Sequence, residues 1–460
     1  MSERNDALPN AFLFPPEECA PVETPFRRIT TPLPAPGTEK VLADAVRYFP
    51  QVNCYQPPIV WDRAEGYQVF DAAGNCWIDF SSTAVMCNSG HGHPAIREAL
   101  SQHVAEGLLA QFSFASEIRV RLARRLVELA PPGLDKAYLW TVGSEAIEAA
   151  LRVAREWGLK RDPGKYHVVA FSGDFHGWTL GAHQLSGTSA AKPWLKHPDA
   201  AIHHIPFPDD DRDGAAHWNE SVASLAAHGV AEDQIAAVFI ETLQGWGALP
   251  FPVDYMQSLR EWADAHEILL IFDEIQTGFG RTGRLFAHEH YGVRADLLCV
   301  GKGVSSSLPL AAVLGSGEIL DVLQPADITT THAGHPLSCA AALANLDVIF
   351  DEGLVEKADQ TGQVAREELR KLQQRFPRHI SKVSGLGLLN AIHLSDPATG
   401  GPNKALARDL AWEAVKRGVM LFHTNRETVK ICPPLVIPPE AVIDGISGIG
   451  EALADLVKSN

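Results

Sequence analysis

Three things are missing from this chain of 460 residues, and each absence closes off a class of function. No apolar run of about eighteen residues occurs, the length a membrane-spanning helix needs, so no membrane insertion is expected. Positive charge is in deficit: Lys and Arg total 39 against 56 Asp and Glu, a formal net charge of -17. Since only a basic face offsets phosphate repulsion, neither nucleic acid nor an anionic membrane is an expected partner. Paired cysteines are also missing. The seven present (Cys19, Cys54, Cys76, Cys87, Cys299, Cys339 and Cys432) are scattered, odd in number and without C-x-x-C spacing. Neither a disulfide framework nor a zinc site is indicated, and a reducing cytoplasm is the expected location. The opening MSERNDALPN lacks a basic-then-apolar leader, which argues against secretion. The length and an apolar fraction of 46% suffice for one large core and a smaller satellite, so two domains are expected.

What the chain does have is two buried strands that end on chemistry. Leu269, Leu270, Ile271 and Phe272 form an apolar run without alternation, as in a parallel strand covered on both faces, and it stops at Asp273 and Glu274. Leu297 to Val300 repeats the pattern and stops at Gly301 and Lys302. In open α/β sheets ligands bind at the carboxyl ends of strands, and one cofactor needs an acid and a lysine in that relation. Pyridoxal phosphate forms a Schiff base with a lysine through its aldehyde, and its ring nitrogen pairs with a carboxylate. Lys302 is then the anchor and Asp273 the ring partner. Taken alone, the two acids read as a strand cap and Lys302 as a solvated loop lysine. Together, each after a buried strand, they favour the cofactor.

In chain order, residues 1–45 are rich in proline and acid and read as an extended arm. GYQVFDAAGNCWIDF, residues 66–80, reads as a hairpin turning at Ala-Ala-Gly-Asn. SSTAVMCNSGHGHP follows; its His91 and His93, two apart with no third ligand, are assigned no metal. Helical spacing covers 94–106 and 117–129, the second with Arg119, Arg121, Arg124 and Arg125 on outer, solvated faces. A strand at 136–140 leads into TVGSEAIEAALRVAREWG, where Gly143 and Ser144 open a helix. Free N–H groups and the helix dipole suit a phosphate there, although for an isolated GSEA a plain N-cap is the better reading. The strand at 166–171 runs into SGDFHGWTL, which sets Phe175, beside His176 and Gly177, either to stack on a planar ring or to join the core. IAAVFI, residues 235–240, ends on Glu241, with Gln244 and Gly245 behind it. Five strands, ending near Thr141, Phe171, Glu241, Asp273 and Gly301, alternate with helices and specify a mostly parallel α/β sheet. From about His335, two helices and then alternating strand and helix read as a separate small α+β domain.

FDEIQTGFGRTG, followed at family spacing by GKG, makes the sequence resemble the class III aminotransferases, fold-type-I pyridoxal-phosphate enzymes of the 4-aminobutyrate and omega-amino acid kind. The resemblance runs from about Asn53 to the end. It implies an α/β fold: a large domain on a mostly parallel seven-stranded sheet, and a small α+β domain built from both termini. The expected divisions are an arm at 1–45, the first part of the small domain at 46–90, the large domain at 91–334 and the rest of the small domain at 335–460. Residue by residue, Gly143 and Ser144 match the phosphate cradle, Phe175 the aromatic on the cofactor ring with His176 beside it, and Glu241 and Gln244 the EPxQG strand end. Asp273 matches the ring-nitrogen partner, Ile275 the contact on the other ring face, Gln276 the amide near the ring hydroxyl, and Lys302 the Schiff-base lysine. Thr331 matches a threonine that reaches the neighbouring subunit's cofactor phosphate, which implies a homodimer with shared active sites between domains and subunits.

The sequence departs from the family pattern in places. Val142 stands where serine is usual before the cradle glycine, Thr242 replaces the proline of EPxQG, and Trp246 replaces a common acid. Lys430, two residues before Cys432-Pro433, stands where many members carry arginine, and a lysine lacks the planar fork for bidentate carboxylate recognition. Ala84, Val85, Met86, Phe112, Phe114 and Trp246 are candidates for the substrate side, with ordinary loop and core packing as the competing reading. The implied activity moves an amino group from an amino acid or amine to a 2-oxo acid in a ping-pong cycle. A racemase or epimerase, or a decarboxylating relative on the same fold, shares every residue named.

Overall fold

The computed structural model describes residues 15–458, apart from 54–55, 189–191, 209–213, 228 and 423. They fall into two compact units: Pro94–Glu356, and the residues up to His93 together with those from Lys357 onward.

The larger unit is built on seven strands in the order Lys136–Trp140, Ala311–Gly315, Leu297–Val300, Leu269–Asp273, Ile235–Glu241, His167–Phe171 and Ile202–Ile205. Ala311–Gly315 runs antiparallel to both its neighbours, and the other pairings are parallel. The central strands are buried at every position, which is why they read as unbroken apolar runs. Helix Gly143–Leu159 lays Ile147, Ala150, Val153, Ala154 and Trp157 into the core formed with these strands. At Gly158 a Cβ would lie 2.1 Å from the Lys165 carbonyl oxygen, so only glycine allows this helix to come so close.

Helix Pro336–Asp351 belongs to this unit as well, packing on helices Pro94–Glu106 and Glu117–Leu129. It is apolar nearly all round, so it needs cover on several sides. The division therefore falls between Glu356 and Lys357 rather than at the expected 334/335. The four arginines are not all solvated either: Arg119 donates to the carbonyls of Phe112 and Phe114 at 2.7 and 3.2 Å, and Arg125 lies over the Phe350 ring.

The smaller unit draws on both ends of the chain. Val419–Met420 adds in parallel to Cys76–Asp79, itself the neighbour of Gln68–Phe70 and Arg28–Ile29. Buried Arg27 fixes the two ends together through Asp444, with Nε and Nη2 donating to the two carboxylate oxygens at 2.6 and 2.8 Å. The expected extended arm is thus only partly extended. Its first fourteen residues lie outside the described residues, Val22–Glu23 and Arg28–Ile29 are sheet strands, and Glu39–Tyr48 is a helix with one buried position, Leu42. A second, antiparallel sheet joins Ile380–Leu386, Leu389–Leu394 and Thr428–Ile431. Among the described residues no helix is long and apolar enough to cross a membrane.

Candidate active site

Parallel register sets the reactive groups in one row. Asp273, the last residue of its strand, pairs with Glu241 on one side and Cys299 on the other, and Lys302 lies just past the strand that carries Cys299. Asp273 is 5% exposed. One carboxylate oxygen accepts from His176 Nδ1 at 2.9 Å and the other from the Ile275 N–H at 3.0 Å, so the acid is oriented from two sides.

Lys302 is half-buried and starts a short turn at φ +41°, in the left-handed region that non-glycine residues avoid. Such strain is kept only where the surroundings over-determine it, typically at functional positions. Part of that constraint is Asn345 of helix Pro336–Asp351, whose amide donates to the carbonyls of Gly303 and Val304 at 2.9 Å each.

The turn at Gly143 and Ser144 opens a seventeen-residue helix. Val142 offers no acceptor at the cap position. Instead Glu145 turns back to accept from the N–H groups of Thr141 and Val142 at 3.1 and 3.4 Å. The Gly143 and Ser144 N–H groups donate to nothing among the described residues, and the buried Thr141 hydroxyl has no partner. Unsatisfied donors at a helix N-terminus are suited to an anion. Ile275 ties the turn to the row: a Cβ on Gly143 would meet Ile275 Cδ1 at 2.9 Å, and one on Gly301 would meet Ile275 Cγ2 at 3.2 Å. Likewise a Cβ on Gly177 would lie 2.2 Å from Ser144 Oγ, which places the Phe175-His176-Gly177 turn against the cradle.

Behind Asp273 sits a buried acidic cluster. Glu241 accepts from the N–H groups of Phe175 and Gly245 at 2.7 and 3.1 Å. Asp174 accepts from the Glu241 N–H at 3.1 Å and from Gln244 Nε2 at 2.7 Å. Burial pushes the Glu241 carboxyl well up, with repulsion from Asp174 adding to it, and burial raises Asp174 less. Burial also opposes a charge on His176, but the hydrogen bond and charge of Asp273, then Asp174 and Glu241, raise its pKa. Gln276 is beside this cluster, since a Cβ on Gly245 would lie 2.5 Å from its Oε1. Glu274, in contrast, is structural. Fully buried, it accepts from Thr277 Oγ1 and from the N–H groups of Ala287 and His288, closing the loop after the strand.

These elements make up an acid at a strand end, a lysine one strand over and an anion cradle at a helix start. The profile of the family described as aminotransferase class-III matches residues 50–453. The chain belongs to this family. Over 427 residues it is 33% identical to a succinylornithine transaminase/acetylornithine aminotransferase of Pseudomonas aeruginosa, covering 92% of this chain and 99% of that one. An (S)-enantioselective omega-transaminase from Thermomicrobium roseum superposes with a TM-score of 0.84 at 29% identity, covering 91% and 98%. An amine transaminase from an uncultivated Pseudomonas species, solved with PLP bound, gives 0.80 at 28% identity, covering 86% and 94%.

The aminotransferase uses pyridoxal phosphate, and the residues present fit it: free N–H donors for a phosphate, an oriented acid for a ring nitrogen, and a held lysine. The departures from the family pattern have local partners. Thr242 hydroxyl meets Thr277 hydroxyl at 3.1 Å, its carbonyl accepts from Tyr291 at 2.6 Å, and Trp246 Nε1 donates to Gln244 Oε1 at 2.5 Å. Phe112 and Phe114 are exposed on a loop of the same unit, and Phe175 is 37% exposed. Ala84, Met86 and Lys430 belong to the other unit. There Ser82, Thr83, Ala84 and Val85 form a single left-handed turn with φ from +44° to +64°, and Ala84 is its exposed residue. Lys430 is 3% exposed, with its ammonium 5.6 Å from the Phe422 ring centroid. Sequence reasoning missed Asp174, Glu145 and Asn345. Only Asp174 left a signal, as one more carboxylate just past a buried strand.

Proposed function

We propose that this aminotransferase takes its amino group from an ω-amino acid or a simple amine, passes it to a 2-oxo acid, and works as a homodimer with shared sites. The observation that carries the donor class is Lys430, a buried lysine at the position where many members of the family hold arginine. A hydrated point charge on a flexible stem selects less sharply for a carboxylate than a guanidinium fork does. Ala84, which is exposed, Met86, Phe112, Phe114 and Trp246 are the candidate substrate-side residues of this reading.

Each site residue has one task. Lys302 would hold the cofactor's aldehyde and, when free, would move the proton at the substrate Cα. Asp273 would keep a proton on the ring nitrogen, Phe175 and Ile275 would flank the ring, and Gln276 would meet its hydroxyl. The N–H groups of Gly143 and Ser144 bind the phosphate. Pyridoxal phosphate supplies an electron-accepting ring for the charge left when Cα is deprotonated. Thr331 is exposed, whereas Thr330 bonds Glu145 at 3.3 Å, which supports Thr331 as the residue offered to the second subunit. Six cysteines are free, which supports a cytoplasmic, reducing location; Cys54 lies outside the described residues.

Mixing the purified protein with a panel of ω-amino acids, amines and 2-amino acids tests the reading, with the half-reaction followed in the visible spectrum and 2-oxo acids added afterwards. Bleaching by ω-amines and recovery with a 2-oxo acid is the expected result. Reaction with dicarboxylic amino acids alone overturns the donor class. Borohydride fixation followed by peptide mapping should find the cofactor on Lys302.

A further inference from the structure

We propose that Asp174 is a positioning residue for the transfer: from the side opposite Asp273 it keeps the His176 imidazole doubly protonated, so that a charged Nδ1–H donates to the Asp273 carboxylate. The proposal rests on Asp273 as the ring-nitrogen partner. His176 lies between two carboxylates, with Nδ1 2.9 Å from Asp273 Oδ2 and Nε2 3.8 Å from Asp174 Oδ2, all three side chains buried. Among the described residues His176 Nε2 has no hydrogen-bond partner, and the counter-charge on that side is Asp174.

Asp174 is itself fixed. Its Oδ1 accepts from Gln244 Nε2 and its Oδ2 from the Glu241 N–H, so the carboxylate cannot swing away from the ring. The His176 backbone is fixed too, through its N–H to Ser186 Oγ at 2.9 Å. The charged groups facing the ring come from three places: Asp273 and Glu241 at the ends of neighbouring strands, and Asp174 two residues earlier in the same turn.

A buried imidazole with a carboxylate near each nitrogen keeps both protons. Protonated at both positions, it has no second tautomer, so Nδ1 can only donate to Asp273. That charged donation orients the Asp273 carboxylate, the group this reading places on the ring nitrogen. Without the Asp174 charge, the unpartnered Nε2 loses its proton more easily; Nδ1–H stays on Asp273, but the positive charge beside that carboxylate is lost.

The test uses Asp174→Asn with 15N-histidine NMR of the cofactor-free protein across pH. In the wild type both His176 nitrogens should be protonated at pH 7, and in the variant the titration midpoint should fall by at least one pH unit. A neutral His176 in the wild type, or an unchanged midpoint in the variant, overturns the proposal; the wild-type measurement decides even if the variant fails to fold. With cofactor loaded, Asp174→Asn should lower kcat about tenfold with little change in KM, and should cost nothing further in a His176→Gln background. Equal losses in both backgrounds would mean that Asp174 acts through Gln244 and Glu241 instead. Failure of the underlying Asp273 assignment is a separate result, full turnover in Asp273→Asn with the His176 titration as expected.

Discussion

Asn345 donates one side-chain amide to the Gly303 carbonyl at 2.9 Å, and the same nitrogen reaches the Val304 carbonyl at the same distance. A helix that the sequence alone assigned to the small domain thus braces the turn that begins at Lys302. Asn345→Ala removes the donor from two buried carbonyls, each worth about 1–3 kcal/mol when left unmet. The strained φ of Lys302 can then relax. The variant should unfold at lower urea and capture pyridoxal phosphate more slowly. Wild-type values in both measurements would make Asn345 a bystander.

Asp273→Asn should still attach the cofactor on Lys302, since the lysine and the cradle are untouched. An amide cannot hold a ring proton, so turnover should fall on the order of 10²-fold or more, the range for loss of a positioned proton-holding group. Single-turnover absorbance separates attachment from chemistry. Near-normal turnover would reduce Asp273 to a strand cap.

The central strands and the reactive row were legible because burial on both faces writes itself as unbroken apolar runs, and the polar residue after each run marks the ligand side. Two strands of the sheet left weaker traces. Ile202–Ile205 carries two histidines in four residues, and Ala311–Gly315 is rich in alanine and glycine, so neither has a strong strand signature. The roles of Asp174 and Asn345 were not legible. Asp174 meets Glu241 from 67 residues away, and Asn345 meets Gly303 from 42, and no local pattern encodes such pairings. The helix Glu39–Tyr48 was hidden by the prolines before it, which end at Pro36.

His91 gives a prediction about pH. Its Nε2 meets Asp79 Oδ2 at 2.8 Å, and although burial opposes the charge, Asp79 and then Cys87 raise the pKa to about 10. A folded-state pKa above the unfolded value means the proton binds the folded state more tightly, so the contribution is full below about pH 6.5 and is lost as pH rises through about 10. The difference in melting temperature between wild type and His91→Gln should therefore shrink steadily from pH 6.5 to pH 10. A constant difference would show that His91 acts only through packing.

Thr331 tests the dimer. If it completes the partner's phosphate site, Thr331→Ala should weaken cofactor retention, measured by dialysis, while sedimentation still reports a dimer. Thr330→Ala, which cuts the bond to Glu145, should loosen the cradle from within its own subunit. Full activity from a sedimenting monomer contradicts the shared site.

Lys430 tests how the substrate carboxylate is met. A charged hydrogen bond contributes about 1.5–3 kcal/mol, and an ammonium, which lacks the planar fork of a guanidinium, should give the lower end of that range. Lys430→Ala should therefore raise KM for acidic substrates by about tenfold, since 1.4 kcal/mol corresponds to a factor of ten. Simple amines, which have no carboxylate to lose, should keep their KM. Lys430 is also buried beside Phe422, so its removal could simply loosen the strand. Lys430→Met separates the two effects, because it keeps the apolar stem and removes only the charge. If Lys430→Met shows the same selective loss on acidic substrates, the charge is what binds them. If it behaves as wild type while Lys430→Ala fails on every substrate alike, the residue is structural and the carboxylate is met elsewhere.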